Sequence, residues 1–404
     1  MPEVCRREFH PDAPRLHDLV GDRDAYLADD IYRRVRAGIE IAVQTAIHDR
    51  APWADPDHLW DVALTRGVRV PALRMVRDGS TLGRADTCRA AGAGNVELDD
   101  LVEPNRVLEL YDDGATLVLQ GLQHVDAAYA RLSTNLALDL DLPVQVNAYV
   151  SPSSARGLDL HFDFHDVIVV QLAGTKRWRV WEPLERTRRP VKSGATIATP
   201  QLDELGVPLF DRSLTAGDCI AVPRGFPHAA ETIDDESAHL TIGIMSLTWE
   251  RVIRRVMAAG VSGTALADRL DAGALRTGYD ASAALAALAD ALGADALRDA
   301  VAAEVWRRQP RTRLRPRRVP ALTSHDSLRI TPGPLLWLVR SHDQSRLELG
   351  DRCVVIPDEA HALIAAVLTA DAAFTADDVR DDLDVASAMV VVRRLVREGV
   401  VAVG

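Results

Sequence analysis

Lysine is almost missing from this 404-residue chain: Lys176 and Lys192 are the only two among 47 basic residues. Arginine carries nearly all the positive charge, a bias expected of a G+C-rich genome, so a lysine here is not a casual surface choice. Cysteine is also sparse. Cys5, Cys88, Cys219 and Cys353 are scattered and form no CxxC pair. That argues against a disulfide framework or a zinc site and leaves them as small apolar side chains. No uninterrupted apolar run reaches about 18 residues, which excludes a transmembrane helix. The N-terminus, MPEVCRREFHPDAPRLHDLV, lacks the apolar core of a secretory signal, so cytoplasmic residence is expected. An excess of positive charge is missing too: the net charge is −12. Such a chain is poorly suited to sequence-independent DNA binding, but could hold a basic ligand in an acidic cleft. What is present is an ordinary globular balance, 47% hydrophobic and 26% charged. It excludes a mostly disordered or collagen-like chain, and the length accommodates two or three domains.

Residues 1–65 read as mainly helical, with DAYLADDIYRRVRAGIEIAVQTAI and DHLWDVALTRG at helical spacing. From about 70 the texture turns β-rich. ATLVLQGLQ is a further strand or a short buried element, and HVDAAYARLSTNLALDLDL reads as one amphipathic helix. Between 143 and 250, PVQVNAYVSP, HDVIVVQLAG, KRWRVWEP, GDCIAVPRG and HLTIGIMSLTW are short strands broken by Gly and Pro. This pattern favours a sandwich or barrel. VIVVQL is apolar on both faces and belongs near the barrel centre. Helical spacing returns over 250–309. A basic link follows, with seven arginines in 307–318; it reads as a solvated connector, or as a patch for RNA, ribosome or acidic protein surfaces. Within 321–404 the order is helix–helix–helix–strand, capped at Thr375 and closed at Gly399, and it resembles a winged helix. Its third helix carries Arg393, Arg394 and Arg397, but the preceding helix is acidic. A scaffold or protein-contact role is preferred over DNA reading.

The chemistry concentrates in His161-Phe162-Asp163, with His228 following the turn pattern GDCIAVPRGFPH. On an extended strand, residues two apart share a face. Two imidazoles and one carboxylate make the facial triad of a non-haem Fe(II) oxygenase and leave three positions open, two for a co-substrate and one for O2. HxD alone is weak evidence among twelve histidines. Lys176, thirteen residues after Asp163 on TKRWRVW, strengthens it. A lysine directed into a barrel would pair with the distal carboxylate of 2-oxoglutarate. Asn147 is a polar side chain on the otherwise apolar strand VQVNAYVSP, which suggests an inward hydrogen bond. His165 and His239 could also face the cavity. Arg224 reads as a surface or substrate-side residue.

The run NAYVSPSSARGLDLHFDFHDVIVVQLAGTKRWRVWEP, with LTAGDCIAVPRGFPHAAET and HLTIGIMSLTW, resembles the JmjC-type 2-oxoglutarate oxygenases. It is most similar to their cupin-like ribosomal oxygenases, which hydroxylate ribosomal-protein side chains. The resemblance is dense over roughly 106–250. It implies an α+β fold: a double-stranded β-helix (JmjC/cupin jelly-roll barrel) with a helical N-terminal region in 1–250, a helical dimerisation region in 251–310 and a winged helix in 311–404. It implies that His161, Asp163 and His228 bind Fe(II), and that Lys176 receives the 2-oxoglutarate C5 carboxylate. Asn147 would help position the co-substrate, Tyr149 would line the same cavity, and Pro152 and Gly157 would shape the loop that enters the metal strand.

The expected reaction is decarboxylation of 2-oxoglutarate to succinate and CO2, coupled through O2 to hydroxylation of a protein or peptide side chain. Demethylation of an N-methyl group is a variant of the same chemistry. The family's N-terminal aromatic tract with a basic–Pro pair is absent from residues 1–60. That leaves a biosynthetic peptide beside a ribosomal protein as substrate. A homodimer is expected and direct DNA binding is not. Two rivals are a metal-dependent cupin enzyme that does not use 2-oxoglutarate and a winged-helix regulator whose barrel senses a metal or ligand.

Overall fold

The computed structural model describes residues 4–21, 35–39, 41–93, 96–153, 155, 159–188, 200–233, 235–260, 282–306, 321–333, 335–341, 344–349 and 352–404. Gly157, Lys192 and the arginine-rich link 307–318 lie outside these residues. The chain divides into two compact units, Phe9–Ser246 and Met1–Glu8 with Leu247–Gly404. The first strand, β1 (Val4–Arg7), therefore belongs with the C-terminal part of the chain, although the sequence grouped it with residues 1–250.

The Phe9–Ser246 unit contains β2 (Arg36–Ile39), β3 (Leu73–Arg77), β4 (Ser80–Thr81), the small pair β5 (Ala91–Ala93) and β6 (Val96–Leu98), β7 (Thr116–Leu119), β8 (Val144–Ser151), β9 (Asp166–Ala173), β10 (Lys176–Val180), β11 (Phe210–Leu214), β12 (Asp218–Val222), β13 (His228–Thr232) and β14 (Ser237–Ile244). Eight of them form one sheet in the order β2-β12-β9-β14-β8-β7-β3-β4, and β11-β10-β13 form a second. All pairings are antiparallel.

The VIVVQL run explains the layering. Val167 and Val169 pack with Trp178, Val180, Phe210 and Ile220, between the two sheets. Ile168, Val170 and Leu172, on the opposite face, join a larger core with Leu132, Leu136 and Leu16 from helices. A strand sandwiched between a sheet and a helical layer needs apolar residues at both phases of its period. Helix Ala127–Leu140 is accordingly buried along most of its length, polar residues included. Asn135 accepts from the His10 amide at 2.8 Å and donates to the carbonyls of His10 and Ala13. Asp139 accepts from the Leu16 amide at 2.9 Å. The segment entering helix Leu16–Val20 thus covers the helix's polar stripe and satisfies it.

The stretch expected as one helix up to Ile47 is broken. Arg36–Ile39 pairs with β12 as an edge strand, and Ile41–His48 is helical. Cross-strand hydrogen bonding to an open sheet edge outweighs the modest helical preference of RAGI, which contains a glycine.

Between β9 and β10 the chain leaves one sheet for the other at Gly174, whose φ is +63°. A Cβ there would lie 1.9 Å from the Glu236 carbonyl oxygen. Gly174→Ala is expected to destabilise the protein by at least about 2 kcal/mol, read as a lower denaturation midpoint in urea. An unchanged midpoint would show that the corner relaxes freely.

In the second unit, β1 pairs with β16 (Leu335–Ser341), followed by β17 (Gln344–Glu348) and β18 (Cys353–Pro357), while β15 (Leu328–Ile330) pairs with β19 (Val401–Val403). The helix–helix–helix–strand reading of 321–404 omits these added strands. Its helices are present at His361–Thr369, Ala376–Val379 and Val385–Glu398. Thr375 accepts from the Asp378 amide as N-cap, and Gly399 closes the last helix in the left-handed conformation. Helices Trp249–Gly260 and Ala294–Trp306 meet through Val252, Val256 and Ala300.

Candidate active site

Period-two alternation builds the site. β8 presents Tyr149, β10 presents Lys176 and Trp178, β13 presents His228 and Ala230, and β14 presents His239 and Thr241 to one cavity, which His161 and Asp163 also line. His228 opens β13 opposite Val180 of β10. His161 is bridged to it: the His161 amide donates to the His228 carbonyl at 3.1 Å, and the His228 amide returns a bond at 2.8 Å. The two ring centroids are 4.4 Å apart.

His161 stands in this single bridge, and the residues after it leave the regular ladder. The Gly225 amide, in a turn where Gly225 has φ +82°, donates to the Asp163 carbonyl at 2.8 Å. The Arg224 amide donates to Asp166 Oδ1 at 2.9 Å. The PRGFPH turn thus fixes the HxD segment from the far side. It also dissolves the simple strand geometry on which His165 would share a face with His161 and Asp163. His165 Nδ1 instead faces the Asp166 carbonyl at 3.3 Å.

His161, Asp163 and His228 each offer one ligand atom, and these atoms lie within 4.8 Å of one another. The tautomers follow from the outer contacts. His161 Nδ1 lies 2.7 Å from the Asp159 carbonyl, and His228 Nδ1 lies 3.0 Å from the Phe226 carbonyl. A carbonyl only accepts, so each Nδ1 carries the proton and each Nε2 keeps its lone pair. Burial and the neighbouring His161 hold His228 well below its ordinary pKa. A neutral imidazole is the form a metal needs. Two imidazole nitrogens and one carboxylate suit a divalent first-row ion with open positions.

Lys176 is fully buried at the start of β10 and donates to Ser151 Oγ at 3.0 Å. Among the described residues no carboxylate forms an ion pair with it, and burial pushes its pKa down to about 7. A buried ammonium without a counter-ion is costly unless a ligand supplies one. Tyr149 stacks on His239, with centroids 4.9 Å apart and planes 6° apart. Burial, then the charge of Asp163, pushes its phenol up to about 12, so it stays protonated and able to donate.

Asn147 is buried on β8, but it is not among the residues lining the cavity. Its Oδ1 accepts from the Gly121 amide and from Gln145 Nε2, both at 2.9 Å. Arg224 reaches toward Ser246 at 3.5 Å. Pro152 follows β8 directly. Sequence reasoning missed Ser151 and Trp178. Both were within reach: Ser151 continues the Asn147–Tyr149 alternation, and Trp178 stands two residues after Lys176.

Comparison with known proteins gives the same region a family. The family description "JmjC domain" matches residues 122–252, which include the three candidate ligands, Lys176, Asn147 and Tyr149. The chain is 31% identical over 157 residues to a bifunctional lysine-specific demethylase and histidyl-hydroxylase NO66 of Dictyostelium discoideum, covering 38% of this chain and 30% of that protein. It is 30% identical over 160 residues to ribosomal oxygenase 1 of Danio rerio, covering 39% and 29% respectively. The match thus spans less than a third of either relative. Among solved structures, ycfD of E. coli aligns with a TM-score of 0.56 at 16% identity, covering 95% of this chain and 98% of that one. A structure of YcfD with cobalt and 2-oxoglutarate aligns with a TM-score of 0.52 at 18% identity, covering 95% and 99%. The fold around the matched residues is therefore of the JmjC cupin type, with mixed helix and sheet. No described helix is long and apolar enough to cross a membrane.

Proposed function

We propose that this chain is an Fe(II)- and 2-oxoglutarate-dependent oxygenase that hydroxylates a side chain of a protein or peptide. The observation that carries the reading is one cavity holding both a two-histidine, one-carboxylate cluster and a buried ammonium with no carboxylate partner among the described residues. The donor set fits Fe(II), and the orphan ammonium fits a dicarboxylate. Bound Fe(II), with 2-oxoglutarate and O2, supplies decarboxylation to succinate and CO2 coupled to hydroxylation of a C–H bond.

The chain's own contribution is placement. His161 and His228 present Nε2 with the tautomer fixed by carbonyls. Asp163 adds the negative charge. Lys176 anchors the co-substrate, Tyr149 keeps its proton as a donor, and Trp178 walls the cavity against water. Asn147 supports the site from one layer behind, through the Gly121 loop. Asp163 is flanked by Phe162 and Phe164, an edge-to-face pair 5.3 Å apart. Phe164 is 53% exposed, an apolar surface suited to a bound polypeptide.

The relatives' names favour a ribosomal protein as substrate over a biosynthetic peptide. The same reading takes 251–310 as a helical dimerisation region and 311–404 as a winged helix used as scaffold, in a cytoplasmic homodimer. The test incubates the protein with Fe(II), 2-oxoglutarate, O2 and a preparation of ribosomal proteins. Succinate formation together with a +16 Da product supports the reading. A protein that binds iron but neither binds nor consumes 2-oxoglutarate would return the choice to other cupin chemistries.

A further inference from the structure

His239 takes no part in the metal cluster, yet its placement is tightly constrained. It is 3% exposed on β14, directly opposite Tyr149 of β8 in the strand register. Tyr149 stacks on one face of its ring, and Trp178 meets it edge-on with centroids 5.5 Å apart and planes 89° apart. Two aromatic neighbours from two other strands fix the orientation of the imidazole. It lines the same cavity as Lys176 and the three candidate ligands. Within this clamp its Nδ1 is buried and has no hydrogen-bond partner among the described residues. A buried polar atom left unpaired is costly, and folded proteins seldom keep one without a use.

We propose that His239 is a co-substrate-positioning residue that donates a hydrogen bond to the 2-oxoglutarate anchored by Lys176. The inference rests on the oxygenase reading above. Burial, then the charge of Lys176, holds the imidazole well below its ordinary pKa. It is therefore neutral, with one N–H to give and no second cation to keep out of water. One cation and one neutral donor, on β10 and β14, recognise an anion without adding a second buried charge to that of Lys176 when the site is empty. Packing alone would be served equally well by phenylalanine. The polar ring, with a nitrogen left unpaired, is what a packing role does not explain.

The experiment measures 2-oxoglutarate binding to anaerobic, Fe(II)-loaded protein by titration calorimetry for the wild type, His239→Phe and His239→Gln, with the melting temperature of each. Phenylalanine keeps the stack and removes the donor; glutamine loses the stack and keeps a donor. The expected result is a dissociation constant raised about tenfold or more in His239→Phe at a melting temperature no lower than that of the wild type, with binding largely restored in His239→Gln. Equal binding by the wild type and His239→Phe overturns the inference while leaving the oxygenase reading intact. Equal loss in both variants also overturns it, because a donor alone should rescue. Failure of the iron-loaded wild type to bind 2-oxoglutarate overturns both.

Discussion

Lys176→Met is expected to abolish measurable 2-oxoglutarate binding and, at the same time, to raise the melting temperature of the ligand-free protein. The two effects have one cause. The ammonium is fully buried, with a hydroxyl and, among the described residues, no carboxylate paired with it. Methionine fills similar space without the desolvation penalty, and such replacements of buried charge are neutral to stabilising by about 1–4 kcal/mol. In the complex the balance reverses. A carboxylate left in the cavity without its cation loses roughly 3–5 kcal/mol, a drop in affinity of at least about 100-fold.

The pH dependence separates this account from simple packing. The folded pKa of about 7 lies below the ordinary 10.5. Between those values the unfolded chain binds more protons than the folded one, so stability rises with pH across that window. Below about 7 the lysine is charged in both states and its penalty is fully present. The stability advantage of the Met variant should therefore be greatest below pH 7 and shrink as pH rises toward 10. Co-substrate affinity in the wild type should weaken above pH 7, as binding must then take up a proton. The other charged and titratable groups lining this cavity are His239 and Tyr149, with His161, Asp163 and His228 beyond them. The first two stay neutral over this range. A Met variant that still binds 2-oxoglutarate, or whose stability advantage is flat with pH, would sink the assignment.

Much of this was legible in the sequence, for identifiable reasons. His161, Asp163 and His228 stand out through spacing and turn chemistry, and the fold brings them together. Lys176 stands out because lysine is so rare in the chain. The walls of the cavity follow from alternation along β8, β10, β13 and β14, so Ser151 and Trp178 needed only a consistent count by twos. Other features depend on partners far away in sequence. The HxD segment looks like ordinary strand, but the Gly225–Asp163 bond, made 62 residues apart, bends it out of the ladder. Asn147 reads as an inward polar residue, and only the arrival of the Gly121 amide shows where its oxygen is spent. β1 is four residues long and pairs with a strand more than 300 residues later. Nothing local in VCRR announces that. RAGI becomes a strand because β12 offers it an edge.

The ligand set itself can be tested against its nearest impostor. HFDFH contains two histidines equally close to Asp163 in sequence; the triad of His161, Asp163 and His228 leaves His165 unneeded, in a supporting or substrate-contact role. The structure separates them. Both turn Nδ1 to a backbone carbonyl, but His161 is locked to His228 by a pair of backbone hydrogen bonds and belongs to the cluster, whereas His165 falls outside it. Asp163→Ala removes the single anionic ligand. Its effect on Fe(II) or Co(II) affinity should exceed the 10–100-fold typical of losing a partner that merely orients a ligand, so a loss greater than about 100-fold is expected. His165→Ala should change metal affinity by less than about threefold, within the scatter of surface substitutions. Metal binds only the folded chain and stabilises it by mass action, so a metal-dependent rise in melting temperature should be present in the wild type and His165→Ala and absent in Asp163→Ala. Asp163 is 30% exposed, and its loss alone should leave the metal-free melting temperature nearly unchanged. The contrast isolates ligation from folding. Retained affinity in Asp163→Ala, or lost affinity in His165→Ala, would mean that the ion sits elsewhere along the segment.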